Sequence, residues 1–206
     1  MKLNAKTITI GVIAAVVLML CAGACNSYNG MVEKEQTVDQ TWAQVENQYQ
    51  RRTDLIPNLV NTVKGYATHE STTLQSVTDA RVGLSKAYNE ANSIAPGEAQ
   101  ASQDGLEKYQ QAQSNLKGAL DIYVNAVREA YPDLKANRNF QDLQTQLEGT
   151  ENRISTERQR YTVAVKEYNT SIKKFPGRIF ASIFGFEPKP QFAAEAGAEK
   201  APIVQF

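Results

Sequence analysis

The stretch Val38-Asp39-Gln40-Thr41-Trp42-Ala43-Gln44-Val45-Glu46-Asn47-Gln48-Tyr49-Gln50-Arg51-Arg52-Thr53-Asp54-Leu55-Ile56-Pro57-Asn58-Leu59-Val60-Asn61-Thr62-Val63 decides the fold. Its apolar side chains recur in alternating steps of four and three: Val38, Trp42, Val45 and Tyr49, then Ile56, Leu59, Val63 and Tyr66. An α-helix turns about 100° per residue, so these steps gather on one face. Arg52 is the one polar intruder in the stripe. A guanidinium in a buried position needs a carboxylate partner, and Asp54, Glu151 and Glu157 are the candidates. Pro57 sits inside the stripe without shifting its phase. Either a new helix starts near Asp54 with Pro57 in its first turn, or one long helix kinks there. A break near Gly65–Ser71 is a further option.

The same periodicity continues outward. Leu74, Val77, Leu84, Tyr88 and Ala91 extend the first region. Leu106, Tyr109, Leu116, Leu120, Tyr123, Val127 and Ala130 form a second block. Phe140, Leu143, Leu147, Ile154, Tyr161, Val165, Tyr168, Ile172 and Phe175 form a third. No comparable stretch of period two occurs, which excludes a substantial sheet. Ala95-Pro96-Gly97, Tyr131-Pro132 and Phe175-Pro176-Gly177 punctuate the blocks, because proline cannot extend a helix; Asn137 is placed to cap the third. The expected fold is all-α: an elongated antiparallel, up-and-down bundle of three to four long helices following an N-terminal membrane anchor. Tyr, Ala and Thr among the seam residues predict a thin core.

Ahead of the bundle, Lys2 and Lys6 precede an apolar run from Ile8 to Leu20 and the small-residue cluster Cys21-Ala22-Gly23-Ala24-Cys25. A basic segment, an apolar segment and small residues make up an export signal. As a helix, residues 8–24 would reach about 25 Å, marginal against a hydrocarbon core of about 30 Å. Ala22-Gly23-Ala24-Cys25 is similar to a lipobox, with Ala in place of the usual Leu, so Cys25 is the expected lipidation site. Three outcomes are open for residues 1–25: a lipoprotein signal, an uncleaved membrane helix, or a signal for secretion. The lysines favour a cytoplasmic N-terminus, which puts the main domain on the periplasmic or extracytoplasmic side of a bacterial membrane.

Composition narrows the chemistry. The 206 residues are 42% apolar, enough for one domain with a core. Basic and acidic residues number 22 each; without the two N-terminal lysines the balance is 20 to 22. Such a chain has no bulk attraction for a phosphate backbone, and no nucleic-acid partner is expected. Cys21 and Cys25 both lie in the N-terminal segment, so no disulfide framework or thiolate metal site can form beyond it. His69 is the only histidine. His69-Glu70 opens like a zincin motif but continues Ser71-Thr72-Thr73, without a second histidine. Neither a phosphate-binding glycine loop nor a spacing that singles out a Ser–Lys pair is present. The sequence therefore predicts no catalytic residues, no metal and no cofactor.

Two segments remain as candidate contact sites. Arg51, Arg52, Asp54, Pro57 and Asn58 crowd two cations, an acid, a proline and an amide beside the apolar seam. They read either as a register-fixing ion pair at a kink or as a docking site. Ile179, Phe180, Ile183, Phe184 and Phe186 are too apolar for a solvated loop. Residues 176–192 accordingly either fold back to cap the bundle of residues 28–175 or dip into a membrane interface or partner groove. Residues 193–206 have the composition of a disordered tail.

Arg51-Arg52-Thr53-Asp54-Leu55-Ile56-Pro57-Asn58-Leu59-Val60, followed by Val63-Lys64-Gly65-Tyr66-Ala67 and His69-Glu70, resembles the signature of the LemA family. Trp42, Ala80-Arg81, Tyr131-Pro132-Asp133-Leu134-Lys135-Ala136, Thr150-Glu151, Tyr168-Asn169 and Phe175-Pro176 extend the likeness over about residues 28–192. The resemblance implies a membrane-anchored bacterial protein with an antiparallel helical bundle, no established catalytic activity and no functional residues to carry over. Typical members begin with a signal-anchor helix, whereas the Ala22–Cys25 box points to a lipid anchor. The expectation is a non-enzymatic envelope protein, a helical scaffold for another, unidentified envelope protein. The alternatives are a lipid-contacting module using its C-terminal apolar segment and an enzyme acting on envelope polymers. The oligomeric state is open.

Overall fold

The computed structural model describes residues 5–67 and 75–193, with only the backbone described at 5–9, 16 and 20. Six α-helices follow in order: α1 (Ala5–Ala67), α2 (Gln75–Ser93), α3 (Pro96–Ala101), α4 (Gln103–Ala130), α5 (Arg138–Lys173) and α6 (Gly177–Phe184). A 3-10 turn, Pro132–Ala136, joins α4 to α5. No strand occurs among the described residues, and the fold is an all-α bundle. His69 lies outside the described residues, as does the tail from residue 194 onward.

The proline question resolves into one helix. Pro57 lies inside α1, which runs unbroken from Ala5 to Ala67. Its flanking residues Leu55, Ile56 and Leu59 are buried, while Pro57 itself faces outward. A proline on the exposed side sacrifices one helical hydrogen bond where water can replace it. Helix boundaries fall at Ala95-Pro96, Tyr131-Pro132 and Phe175-Pro176, where proline predicts them, and a further one falls at Ser102, which the periodicity does not predict. Asn137 Oδ1 accepts the Phe140 N–H at 3.2 Å, capping α5, and Ser102 Oγ accepts the Gly105 N–H at 3.0 Å, capping α4. Gly185 closes α6 with φ +75°, a left-handed conformation that glycine adopts without strain.

The chain divides into two compact units. The larger comprises the described residues of Thr41–Thr162 and Lys189–Phe206. Here side-chain contacts fix the helix directions. Trp42 meets Tyr161 and Arg52 meets Glu151, so α1 and α5 run antiparallel. Arg128 bonds Gln144, so α4 and α5 do the same. Val77 and Arg81, early in α2, share a small cavity with Tyr123 of α4 and with Tyr131, the residue just past its end. Tyr49–Tyr109 and Tyr66–Tyr131 contacts make α1 and α4 parallel. The result is the up-and-down arrangement that short connections dictate. Its core holds Leu55, Ile56, Leu59, Leu84, Leu116, Leu120 and Phe140 together with Ala87, Ala91 and Ala112. Alanines and tyrosines, among them Tyr123 and Tyr131, stand beside the leucines at these inward positions.

The smaller unit comprises the described residues of Met1–Gln40 and Val163–Pro188. Met31, Val38, Ala164, Val165, Tyr168, Ile172 and Ala181 are its buried residues among those described. The Tyr168 hydroxyl donates to the Glu187 carbonyl at 3.0 Å. Phe175, counted in the third stripe by spacing, is 84% exposed, because α5 ends at Lys173 and the helical period no longer governs it. The opening part of α1 is long and apolar enough to cross a membrane, and its residues Ile10, Leu18 and Met19 are exposed.

Candidate functional site

The site grows from Arg52. The helical stripe carries it inward on α1 until its side chain is only 2% exposed. A bare guanidinium there would cost several kcal/mol, so the surrounding helices supply acceptors. Nη1 donates to Glu151 Oε1 on α5 at 2.9 Å. Nη2 donates to the Gln113 carbonyl on α4 at 3.1 Å and to Gln113 Oε1. The Tyr49 ring, one turn earlier on α1, lies 5.2 Å from the guanidinium carbon and adds a cation–π contact. Nε has no partner among the described residues.

Of the three possible partners, Glu151 is the one used. Asp54 accepts from Gln50 Nε2 at 2.8 Å, and Glu157 pairs with Arg160 at 2.9 Å. Gln113 was not singled out by sequence. It nevertheless interrupts the α4 seam between Tyr109 and Leu116 as Arg52 interrupts the α1 seam, so the same criterion would have found it. Tyr109, also buried here, has its phenol pushed well above the ordinary range. Burial is the main cause and the nearby Tyr49 and Glu46 add to it, while Arg52 and a hydrogen bond to Gln113 pull the other way. The phenol is therefore neutral at physiological pH and serves as a packing group.

A cleft of about 510 Å³ opens beside the ion pair, with Lys117, Asn152, Ser155 and Gln159 on its walls. Amides and hydroxyls dominate these walls, groups that both donate and accept hydrogen bonds. Among the described residues no group of three or more His, Cys, Asp or Glu side chains is placed to hold a metal ion.

The other residues of the motif separate from Arg52. Arg51, Asp54, Pro57 and Asn58 are all exposed. Their spacing of three, three and one puts them on a single outer face of α1, opposite the side that Arg52 pins. In the smaller unit, Ile179, Ile183 and Phe184 are 51%, 68% and 44% exposed. Phe180 and Phe186 are half-buried. Tyr28 meets the Phe184 and Phe186 rings at 5.0 and 5.6 Å, so these aromatics pack against α1 while the isoleucines stay outside. Cys25 is an exposed free thiol on α1.

A family model described as "LemA family" matches residues 41–206. Among curated proteins the chain is similar to magnetosome proteins MamQ 2 and MamQ 1 of Paramagnetospirillum magneticum (strain ATCC 700264 / AMB-1). Each is 27% identical over 186 residues, covering 86% of this chain and 68% of the relative. Magnetosome protein MamQ of Magnetospirillum gryphiswaldense (strain DSM 6361 / JCM 21280 / NBRC 15271 / MSR-1) is 26% identical over the same shares.

Proposed function

Since this membrane-associated helical chain belongs to the LemA family, we propose that it is a non-enzymatic envelope scaffold that holds another protein against its bundle. The observation that carries this reading is the division of the Arg51–Asn58 motif. Arg52 is anchored inward by Glu151 and Gln113, and the same turns of α1 present Arg51, Asp54, Pro57 and Asn58 outward as one rigid face. A face fixed in this way loses little conformational entropy when a partner docks. The bundle lies on the extracytoplasmic side, consistent with Lys2 and Lys6 ahead of the apolar segment. Cys25 carries a lipid, which its exposure supports.

A photo-crosslinker at Asn58 in intact cells tests the reading. It should yield a reproducible adduct that disappears on Arg51→Glu with Asp54→Lys. An adduct pattern unmoved by this charge reversal refutes it. Incorporation of a clickable fatty acid, lost in Cys25→Ala, tests the anchor.

A second reading is favoured by the exposure of Ile179, Ile183 and Phe184. In it, these side chains enter the interfacial layer of a bilayer. Flotation of protein lacking residues 1–25 with anionic liposomes should then fall sharply on Ile179→Ser with Ile183→Ser; unchanged flotation, or none for the parent, removes this reading.

A further inference from the structure

Within the larger unit, a segment without regular secondary structure, residues 190–193, lies on the helices with its backbone held by side chains. The Tyr161 hydroxyl donates to the Pro190 carbonyl at 3.1 Å. Gln103 closes a reciprocal pair on Gln191: Nε2 donates to its carbonyl and Oε1 accepts its N–H, each at 3.1 Å. Gln110 Nε2 donates to the Ala193 carbonyl at 3.0 Å. Between these contacts Phe192 is the anchor. Its ring stacks on Trp42 at 6.1 Å, meets the Tyr161 edge at 5.4 Å and lies 4.7 Å from the Arg158 guanidinium carbon.

Such contacts are those of peptide recognition. Amides that read backbone N–H and C=O groups accept any extended chain, and specificity comes from one aromatic ring in a cage of two aromatics and a cation. Beside the cage, Gln110 Oε1 is buried with no partner among the described residues. We propose that Trp42, Gln103, Gln110, Arg158 and Tyr161 form a binding site for an extended peptide of the type Pro-x-Phe-small. Pro190–Ala193 is its resident occupant, and a partner protein's segment of the same chemistry displaces it.

This inference rests on the scaffold reading and names the kind of partner. Its test concerns the groove alone, so its failure leaves the Asn58 crosslinking result standing by itself. The probe is a fluorescent peptide spanning Glu187–Ala193, titrated by anisotropy into the full-length protein in detergent. Two receivers free the groove: Phe192→Ala removes the resident anchor, and Gln191→Pro removes the N–H that Gln103 reads. At least one receiver, verified as folded by its helical circular dichroism, should bind the probe about tenfold or more tightly than the parent, because resident competition is relieved. A probe carrying Phe192→Ala should bind at least about tenfold more weakly, and adding Gln110→Ala to the receiver should weaken binding too. Equal binding by parent and folded receivers, or equal binding of the two probes, overturns the proposal, as does absence of binding.

Discussion

Cutting the Arg52–Glu151 pair from either side should not cost the same. The Arg52 side chain is 2% exposed and that of Glu151 is 23% exposed. Glu151→Ala strands a buried cation with no anion to face it, only Gln113 and the Tyr49 ring, and removing one partner of such a pair costs about 3–5 kcal/mol. Arg52→Met keeps most of the volume and removes the charge. Glu151 can then turn its exposed quarter toward water, which leaves the unpaired Gln113 side chain as the main penalty, about 1–3 kcal/mol. Arg52→Met with Glu151→Gln should therefore be more stable than Glu151→Ala alone. Trp42, the only tryptophan, is 4% exposed in the same unit, and its fluorescence reports urea unfolding of the full-length protein in detergent. At a denaturant slope of about 2 kcal/mol per molar urea, the midpoint for Glu151→Ala should lie about 1 M below that for Arg52→Met. A midpoint for Arg52→Met equal to or below that for Glu151→Ala would refute the reasoning, because the acid and not the guanidinium would then be the costly group to leave alone.

Alkaline pH should destabilise the bundle through its buried phenols. Burial pushes Tyr123 from 10.0 up to about 12, with Tyr131 adding and Arg81 opposing. The folded form keeps a proton that the unfolded chain gives up near pH 10, so stability is intact below that pH and falls as pH rises toward about 12. Tyr123→Phe should flatten part of this fall in urea midpoints measured across the range. Two glycines of α4 should respond oppositely to alanine. At Gly105 a Cβ would run into the Glu98 carbonyl, for a loss of about 1–3 kcal/mol. At Gly118 it would meet open space and stabilise the helix by about 0.5–1 kcal/mol; thermal melts distinguish the two. Removing residues 1–25 should shift the protein from the membrane pellet to the supernatant on cell fractionation.

Much of the bundle is legible in the sequence because helical burial is periodic. Val38, Trp42, Val45, Tyr49, Leu59 and Val63 follow from spacing alone and are all buried. Arg52 stands out for the same reason, since a charge in an apolar series violates the local pattern. The choice of Glu151 over Asp54 and Glu157 is not local. It depends on the relative register of α1 and α5, which only the packed helices define. The groove around Phe192 was illegible for a related reason. Gln103 and Gln110 look like ordinary solvated amides, and the backbone groups they bind are more than 80 positions away in the chain. Phe175 shows the opposite failure, a residue in phase with a helix that had already ended.

The cross-helix contacts of α1 and α5 also constrain how related chains can vary in length. Trp42–Tyr161 and Arg52–Glu151 are separated by ten residues on each helix, about 15 Å of rise. A single insertion or deletion between them in one helix would swing everything past it by about 100° and disengage one contact or the other. Compensated changes of about seven residues in both helices, close to two full turns, would keep both contacts in phase. Chains that share this lock should therefore vary in length at their loops and ends, or by matched pairs of turns, and not by stray residues within this span.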